Sequence, residues 1–267
     1  MSTREEKYFA ANKENWNKRI SIHKDSSFYD VESFKVGKNL LNSIEMSELG
    51  EVSGKSMLHL QCHFGLDSMS WSRLGAKVTG VDFSEEAIHL ANELNQEVKL
   101  DARFITSNVY DLKLNLDEKF DIVFTSYGVI GWLPDMNRWA DIISHFLKPE
   151  GIFYMVEFHP VIWMFDDEFK KITYSYFNDK VIEIDQESTY ADKTTPLNLK
   201  EYSWNHSISE VLKALLDHGL KIQMFNEYDY SPYNCFNNTV KKGDRKYYIK
   251  GYENKLPVVY SVKAIKD

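Results

Sequence analysis

The stretch MLHLQCHFGLDSMSWSRLGAKVTGVDFSEE, residues 57–86, constrains the fold of this chain more than any other. Residues 57–62 form a short apolar run suited to a strand buried in a sheet. A turn follows at residues 63–65, and then Leu66, Met69, Ser70 and Leu74 recur at helical spacing. Gly75 stands where a helix ends. Residues 77–81 read as a second strand that terminates in Asp82. The unit is β-turn-α-β with an acid at the tip of its second strand. In a doubly wound α/β sheet, such a turn holds a ligand at the helix N-terminus while the acid takes ribose hydroxyls. Asp82 lies 17 residues after Gly65, near the spacing of about 20 that this arrangement uses.

Composition narrows the partners. The 267 residues carry 32 basic and 40 acidic side chains, a net charge of −8, and Lys and Arg occur only in short clusters. A nucleic-acid partner calls for a basic footprint, so none is expected. Cys62 and Cys235 provide neither metal-ligand spacing nor a disulfide framework. No apolar run is long enough to span a bilayer, and the first residues lack a signal-peptide core. A cytoplasmic protein without a membrane anchor or a metal is expected, as a monomer or homodimer. Aromatic residues reach 14%, enough to line a pocket as well as a core.

Along the chain, residues 4–20 are polar with Tyr8, Phe9, Trp16 and Ile20 interspersed, which predicts an amphipathic N-terminal helix. Residues 23–29 read as loop. Ser84 is suited to cap a helix whose apolar face is Ala87, Leu90, Ala91 and Leu94. Residues 103–107 form a third strand leading to Asn108, Val109 and Tyr110, and residues 120–126 a fourth leading to Tyr127 and Gly128. A helix over 136–147 and a stop at 148–151 precede a fifth strand over 152–158. Residues 161–204 change character: 172–176, 181–185 and 187–190 lean towards β-structure and predict a small hairpin or meander over the pocket. A helix after Ser207 and strands at 221–228 and 257–264 complete the chain.

The turn His59-Leu60-Gln61-Cys62-His63-Phe64-Gly65 and the following VTGVDFS resemble the cofactor segment of class I S-adenosylmethionine-dependent methyltransferases. That family reads E/D-x-G-x-G-x-G here. Gly65 matches the last glycine, whereas His59 stands for the acid and Gln61 and His63 for the other glycines. LHLQCHFGLDS resembles a bacterial subgroup of the family, and LKPEG before an apolar strand is also widespread in it. The resemblance covers residues 54–160 well and 205–265 loosely. It implies a Rossmann-like doubly wound seven-stranded sheet of order 3-2-1-4-5-7-6, the last strand antiparallel. An N-terminal helical lid over residues 1–50 and a methyltransferase domain over 51–267, with 161–204 as a β-rich insertion, would follow. S-adenosyl-L-methionine is the implied cofactor and S-adenosyl-L-homocysteine the product. Its implied contacts are Leu60, Gln61, Cys62 and Gly65 in the turn, Asp82 for the ribose, and Phe83 with Ser84 beside the adenine. Asn108 holds the place of the acid that commonly bonds the adenine amino group, followed by Val109 and Tyr110, with Asp111 as a register alternative. Ser126 and Tyr127 would face the methyl group, and Trp16 would reach in from the lid.

Methyl transfer from a sulfonium is an in-line displacement that needs an aligned acceptor and often a base. His159 is the first choice of base, because a neutral imidazole is available near pH 7. Glu157 would orient it or hold a structural partner, His206 and His23 rank after them, and Tyr127 and Trp132 would flank the cation. The reading is a methyltransferase acting on a small-molecule acceptor. Its rivals are a non-catalytic adenosylmethionine-binding module and an NAD-dependent oxidoreductase. A pyrophosphate needs close backbone approach at the middle glycine, where His63 stands.

Overall fold

The computed structural model describes residues 3–267. Helix α1 (Thr3–Asp25) is followed by the short helices α2 (Val31–Lys35) and α3 (Ser43–Leu49). Strands and helices then alternate through β1 (Ser56–Leu60), α4 (Leu66–Arg73), β2 (Lys77–Asp82), α5 (Glu85–Glu97) and β3 (Arg103–Thr106). They continue with β4 (Phe120–Ser126), α6 (Met136–Phe146) and β5 (Leu147–Phe158). The hairpin β6 (Ile182–Gln186) and β7 (Leu199–Ser203) precedes α7 (Ile208–Asp217) and β8 (Leu220–Tyr228). A second hairpin, β9 (Thr239–Lys241) and β10 (Tyr247–Ile249), leads to β11 (Val259–Lys266).

Seven strands form one sheet in the order β3-β2-β1-β4-β5-β11-β8. With β8 and β11 as its sixth and seventh strands, this is the 3-2-1-4-5-7-6 order. Strands β1 to β5 pair in parallel, and β11 pairs antiparallel with both β5 and β8. The order reverses between β1 and β4, which opens a crevice beyond their carboxyl ends. Side-chain alternation splits the core into two layers. Ile122 and Phe124 of β4 pack with Met69 and Trp71 of α4 and Leu90 of α5, whereas Val123 packs with Trp139 and Ile143 of α6 and Leu215 of α7.

Two glycines set the spacing beneath the crevice. A Cβ on Gly65 would lie 2.5 Å from Phe104 Cε1, and one on Gly80 would lie 2.8 Å from Phe104 Cδ1. The Phe104 ring is therefore wedged where two side chains are missing.

Three segments differ from the sequence reading. Helix α1 runs to Asp25 instead of ending near residue 20, because His23 is buried on the same face. Residues 161–204 hold one hairpin, β6–β7; residues 172–176 make only the bridge Phe165–Ile172, and 187–190 form loop. The hairpin β9–β10 was not anticipated, since its connection is lysine-rich and polar. No helix among the described residues is long and apolar enough to cross a membrane.

Candidate functional site

The carboxyl ends of β1, β2 and β4 open into a cavity of about 610 Å³. Its floor is the turn after β1. Cys62 N donates to Val81 O and Gly65 N to Cys62 O, both at 2.9 Å, and Met69 N donates to Gly65 O at 2.8 Å. Gln61, His63 and Gly65 have φ of 55°, 52° and 78°. The backbone thus keeps the left-handed geometry of three alternate glycines although two are replaced, at about 1–2 kcal/mol for each non-glycine residue. Gln61 Nε2 donates to Val129 O at 2.9 Å, while its Oε1 is buried without a partner.

Asp82 closes the turn from β2. Its Oδ2 accepts from His63 N and its Oδ1 from Ser84 N, each at 2.9 Å. Each oxygen keeps a lone pair for a further donor. Burial lifts the Asp82 pKa to about 6, against the backbone N–H groups of Ser84, His63 and Phe83. His59, where the family places an acid, is buried with Nδ1 2.8 Å from Ser68 Oγ. Burial pulls its pKa down to about 3, so the imidazole is neutral.

Helix α1 roofs the cavity and is tied to β7. Asn12 Nδ2 donates to Tyr202 O at 2.7 Å and Asn12 Oδ1 accepts from Tyr202 N at 2.9 Å, as a neighbouring strand would. Arg19 Nη2 meets Glu201 Oε2 at 2.7 Å, with its guanidinium 4.9 Å from the Trp16 ring and 5.6 Å from the Trp132 ring. The roof also touches the floor: His23 Nδ1 lies 3.3 Å from His63 Nε2. Burial, and then the Arg19 charge, bring His23 down to about 3. Burial, then His23 and Arg19, hold His63 well below its ordinary value. Both rings are neutral, and one donates to the other.

Of the residues singled out in the sequence, Trp16, Gln61, Cys62, Gly65, Asp82, Phe83, Asn108, Val109, Ser126 and Tyr127 line this cavity. Leu60, Ser84 and Tyr110 do not. Leu60 points into the core beside Val123, Ser84 Oγ caps α5 by accepting from Ala87 N at 3.1 Å, and Tyr110 OH donates to Asp135 O at 2.8 Å. Asn108 lines the cavity while its Oδ1 accepts from Tyr110 N at 3.0 Å, which leaves that oxygen a second lone pair.

The base candidates are engaged elsewhere. Glu157 accepts from four backbone donors: Gly128 N, Val129 N at 2.8 Å, Ile130 N at 3.1 Å and Phe158 N at 2.6 Å. It holds the turn after β4 and has no bond to His159. His159 is not among the residues lining the cavity; its Nε2 lies 3.0 Å from Glu227 Oε1 and its Nδ1 accepts from Val161 N at 3.2 Å. His206 lines the cavity, but Nε2 lies 2.7 Å from Leu133 O and Nδ1 3.0 Å from Glu210 Oε1. The Tyr127 ring lines the cavity while its hydroxyl donates outward to Glu45 Oε2 at 2.9 Å.

Sequence reasoning did not single out Arg19, Asp67, Tyr190, Tyr233 or Arg245, all of which line the cavity. Arg19 follows Trp16 by three residues, within reach of helix spacing, and Asp67 stands in the first turn of the helix that follows Gly65. Nothing local marks the others. Beyond β4 and β5 the wall is aromatic: Phe158 meets Trp163 at 5.9 Å and Phe236 at 5.1 Å between ring centroids.

Residues 58–153 match the family described as methyltransferase domain. Among curated proteins the chain is similar to the ubiquinone biosynthesis O-methyltransferase of Haemophilus ducreyi, 31% identical over 106 residues, covering 38% of this chain and 44% of the relative. The protein of the same name from Alkalilimnicola ehrlichii is 31% identical over 121 residues, covering 44% and 48%. The chain spans about half the length of the curated relatives it matches. Among solved structures it is similar to a putative S-adenosylmethionine-dependent methyltransferase from Listeria monocytogenes, with a TM-score of 0.56 at 18% identity, covering 84% of this chain and 98% of that one. It is also similar to geranyl diphosphate C-methyltransferase from Streptomyces coelicolor, solved with S-adenosyl-L-homocysteine, with a TM-score of 0.55 at 15% identity, covering 84% and 77%.

Proposed function

We propose that this chain, which carries a methyltransferase domain on the fold of the class I S-adenosylmethionine-dependent methyltransferases, transfers a methyl group from that cofactor to a small-molecule acceptor. The observation that carries the reading is Asp82. Its two oxygens each keep a lone pair at the floor of the cavity, beside a turn held in the geometry of alternate glycines. The residues fit an adenosyl ligand. Asp82 would take the ribose hydroxyls, Phe83 and Val109 the adenine faces, and the free lone pair of Asn108 Oδ1 the adenine amino group. The His63 ring, packed 5.3 Å from Trp16 and 5.1 Å from Tyr29 between centroids, obstructs the backbone approach that a dinucleotide pyrophosphate needs.

When bound, the cofactor supplies an electrophilic methyl group on a sulfonium. The chain's own residues align and enclose. Trp16, Trp132 and Tyr127 offer π-faces near a cation, and α1 with β7 excludes water from above. With Glu157, His159 and His206 all engaged, the rate would rest on alignment of an acceptor that is already nucleophilic. The aromatic wall of Phe158, Trp163 and Phe236 suits an acceptor with an apolar or aromatic body. Two of the similar proteins are named for small-molecule chemistry, ubiquinone biosynthesis and geranyl diphosphate, which supports a small acceptor. The engagement of every expected base also favours a second reading, a module that binds the cofactor without turnover.

Calorimetric titration with S-adenosylmethionine, S-adenosylhomocysteine and NAD(H), repeated on Asp82→Ala, tests the proposal. Micromolar binding of the two sulfur ligands, lost in the variant, is the expected result. Binding of NAD(H) alone would overturn it. Conversion of radiolabelled cofactor with a panel of small acceptors separates enzyme from binding module.

A further inference from the structure

The cavity contains two opposite charges that are close enough to feel each other yet do not join. Asp67, in the first turn of α4, lines it, and its Oδ2 accepts from Ser126 Oγ at 3.3 Å. Arg245, in the connection between β9 and β10, lines it as well. Its Nη1 donates to Leu40 O at 2.9 Å and Leu41 O at 3.1 Å, and its guanidinium lies 5.6 Å from the Tyr233 ring centroid. Among the described residues, no direct ion pair joins Asp67 to Arg245. Burial nevertheless raises the Asp67 pKa to about 6, and Arg245 is the first group that opposes the rise. A carboxylate and a guanidinium that share an enclosed space without pairing leave room for a ligand group carrying both charges.

The position of Asp67 says which group that is. Cys62, Asp82 and Asp67 all line the cavity at the β1 turn. Asp82 ends β2 and Asp67 bonds Ser126 at the end of β4, the two strands that flank β1, so the two carboxylates stand on opposite sides of the β1 turn, along the lane an adenosyl ligand would occupy from ribose to sulfur substituent. Ser126, the partner of Asp67, ends β4, the parallel neighbour of β1. His59 brings no negative charge there, being neutral with its Nδ1 bonded to Ser68.

We infer that Asp67 receives the α-ammonium group of the cofactor's amino-acid end and that Arg245 faces its α-carboxylate. This assignment rests on the methyltransferase reading. It means that the negative charge absent from position 59 is supplied from the first turn of α4, on the far side of the turn from Asp82.

The test is calorimetric binding of three ligands that differ only at that end: S-adenosylhomocysteine, its deaminated analogue, and 5′-methylthioadenosine, which lacks both charged groups. Asp67→Asn and Arg245→Gln are compared with the unaltered chain. Asp67→Asn should weaken S-adenosylhomocysteine about tenfold or more, as loss of a charged hydrogen-bond partner does. It should leave 5′-methylthioadenosine and the deaminated analogue unchanged. Arg245→Gln should weaken S-adenosylhomocysteine and its deaminated analogue while sparing 5′-methylthioadenosine. Retained binding of 5′-methylthioadenosine also reports an intact fold. Equal loss across the three ligands, or no loss on any, overturns the assignment. Failure of the unaltered chain to bind any adenosyl ligand overturns the methyltransferase reading, and this assignment with it.

Discussion

Replacing Glu157 by Gln separates a general base from a structural carboxylate. Oε1 of Glu157 accepts from Gly128 N and Phe158 N, and Oε2 from Val129 N and Ile130 N. The side chain is 1% exposed, so water cannot substitute for either oxygen. An amide is isosteric but turns one oxygen into an NH2 group, which sets two backbone donors against another donor. Each buried donor left unsatisfied costs about 1–3 kcal/mol, so the substitution should destabilise by about 4 kcal/mol. With an unfolding entropy of about 2.1 cal/mol/K per residue, that loss lowers Tm by about 7 °C for a chain of this length. Differential scanning calorimetry reads the shift directly. Binding of S-adenosylhomocysteine should survive below the new Tm, since Asp82 and the β1 turn are untouched. A Tm within about 2 °C of the parent would refute the four-bond account. Lost turnover with an unchanged Tm would assign Glu157 a catalytic role in place of the structural one.

Two further outcomes follow from the packing and the buried histidines. Gly80→Ala should destabilise by about 1–3 kcal/mol through overpacking against Phe104, and Phe104→Leu in the same chain should recover part of it; a double variant no better than the single one would dismiss the wedge. His23, with its pKa at about 3, contributes stability that is present above pH 6.5 and is lost as pH falls towards 3. Asp67 and Asp82, raised to about 6, contribute with the opposite sign, being stabilising at low pH and less so as pH rises through 6. With His59, also lowered to about 3, acting in the same direction as His23, two histidines offset two carboxylates and the parent should show a shallow pH profile between 4 and 6. His23→Gln should gain on it by about 1.4 kcal/mol for each unit that pH falls in that window. Parallel urea-denaturation curves for parent and variant would contradict the burial of a neutral His23.

Much of the architecture is legible because its signals are local. The β1–α4–β2 unit follows from an apolar run, a helical stripe and the placement of Gly65 and Asp82, and these residues do converge on the cavity. At the site, neighbours in sequence point in different directions. Leu60 shares its face of β1 with Leu58, and both join the core beside α6, so strand alternation already separates Leu60 from the cavity. Ser84 and Tyr110 likewise neighbour residues that line the cavity but point to a helix cap and to Asp135. Glu157 was beyond local reasoning, since three of its four donors lie in a turn 27 to 29 residues earlier in the chain and meet it only when β4 and β5 pair.

Helix α1 has a deeper cause. Hydrophobic spacing selects Tyr8, Phe9, Trp16 and Ile20, yet Asn12, Asn15, Arg19 and His23 are also buried on the helix. Those four recur at intervals of three and four residues, so they form a stripe as regular as an apolar one. Its burial is tolerable only because β7 supplies backbone partners to Asn12 and Asn15 and a carboxylate to Arg19, and the β1 turn supplies His63 to His23. Read without those partners, the same stripe looks solvated. The site thus combines two features that pattern rules penalise: left-handed Gln61 and His63 where glycine is favoured, and a polar face turned inward. Each is costly alone, and they are physically connected, because His63 takes its left-handed backbone to bring its ring against His23. Strain in the turn and polarity in the roof are two halves of one contact that closes the cavity over Asp82.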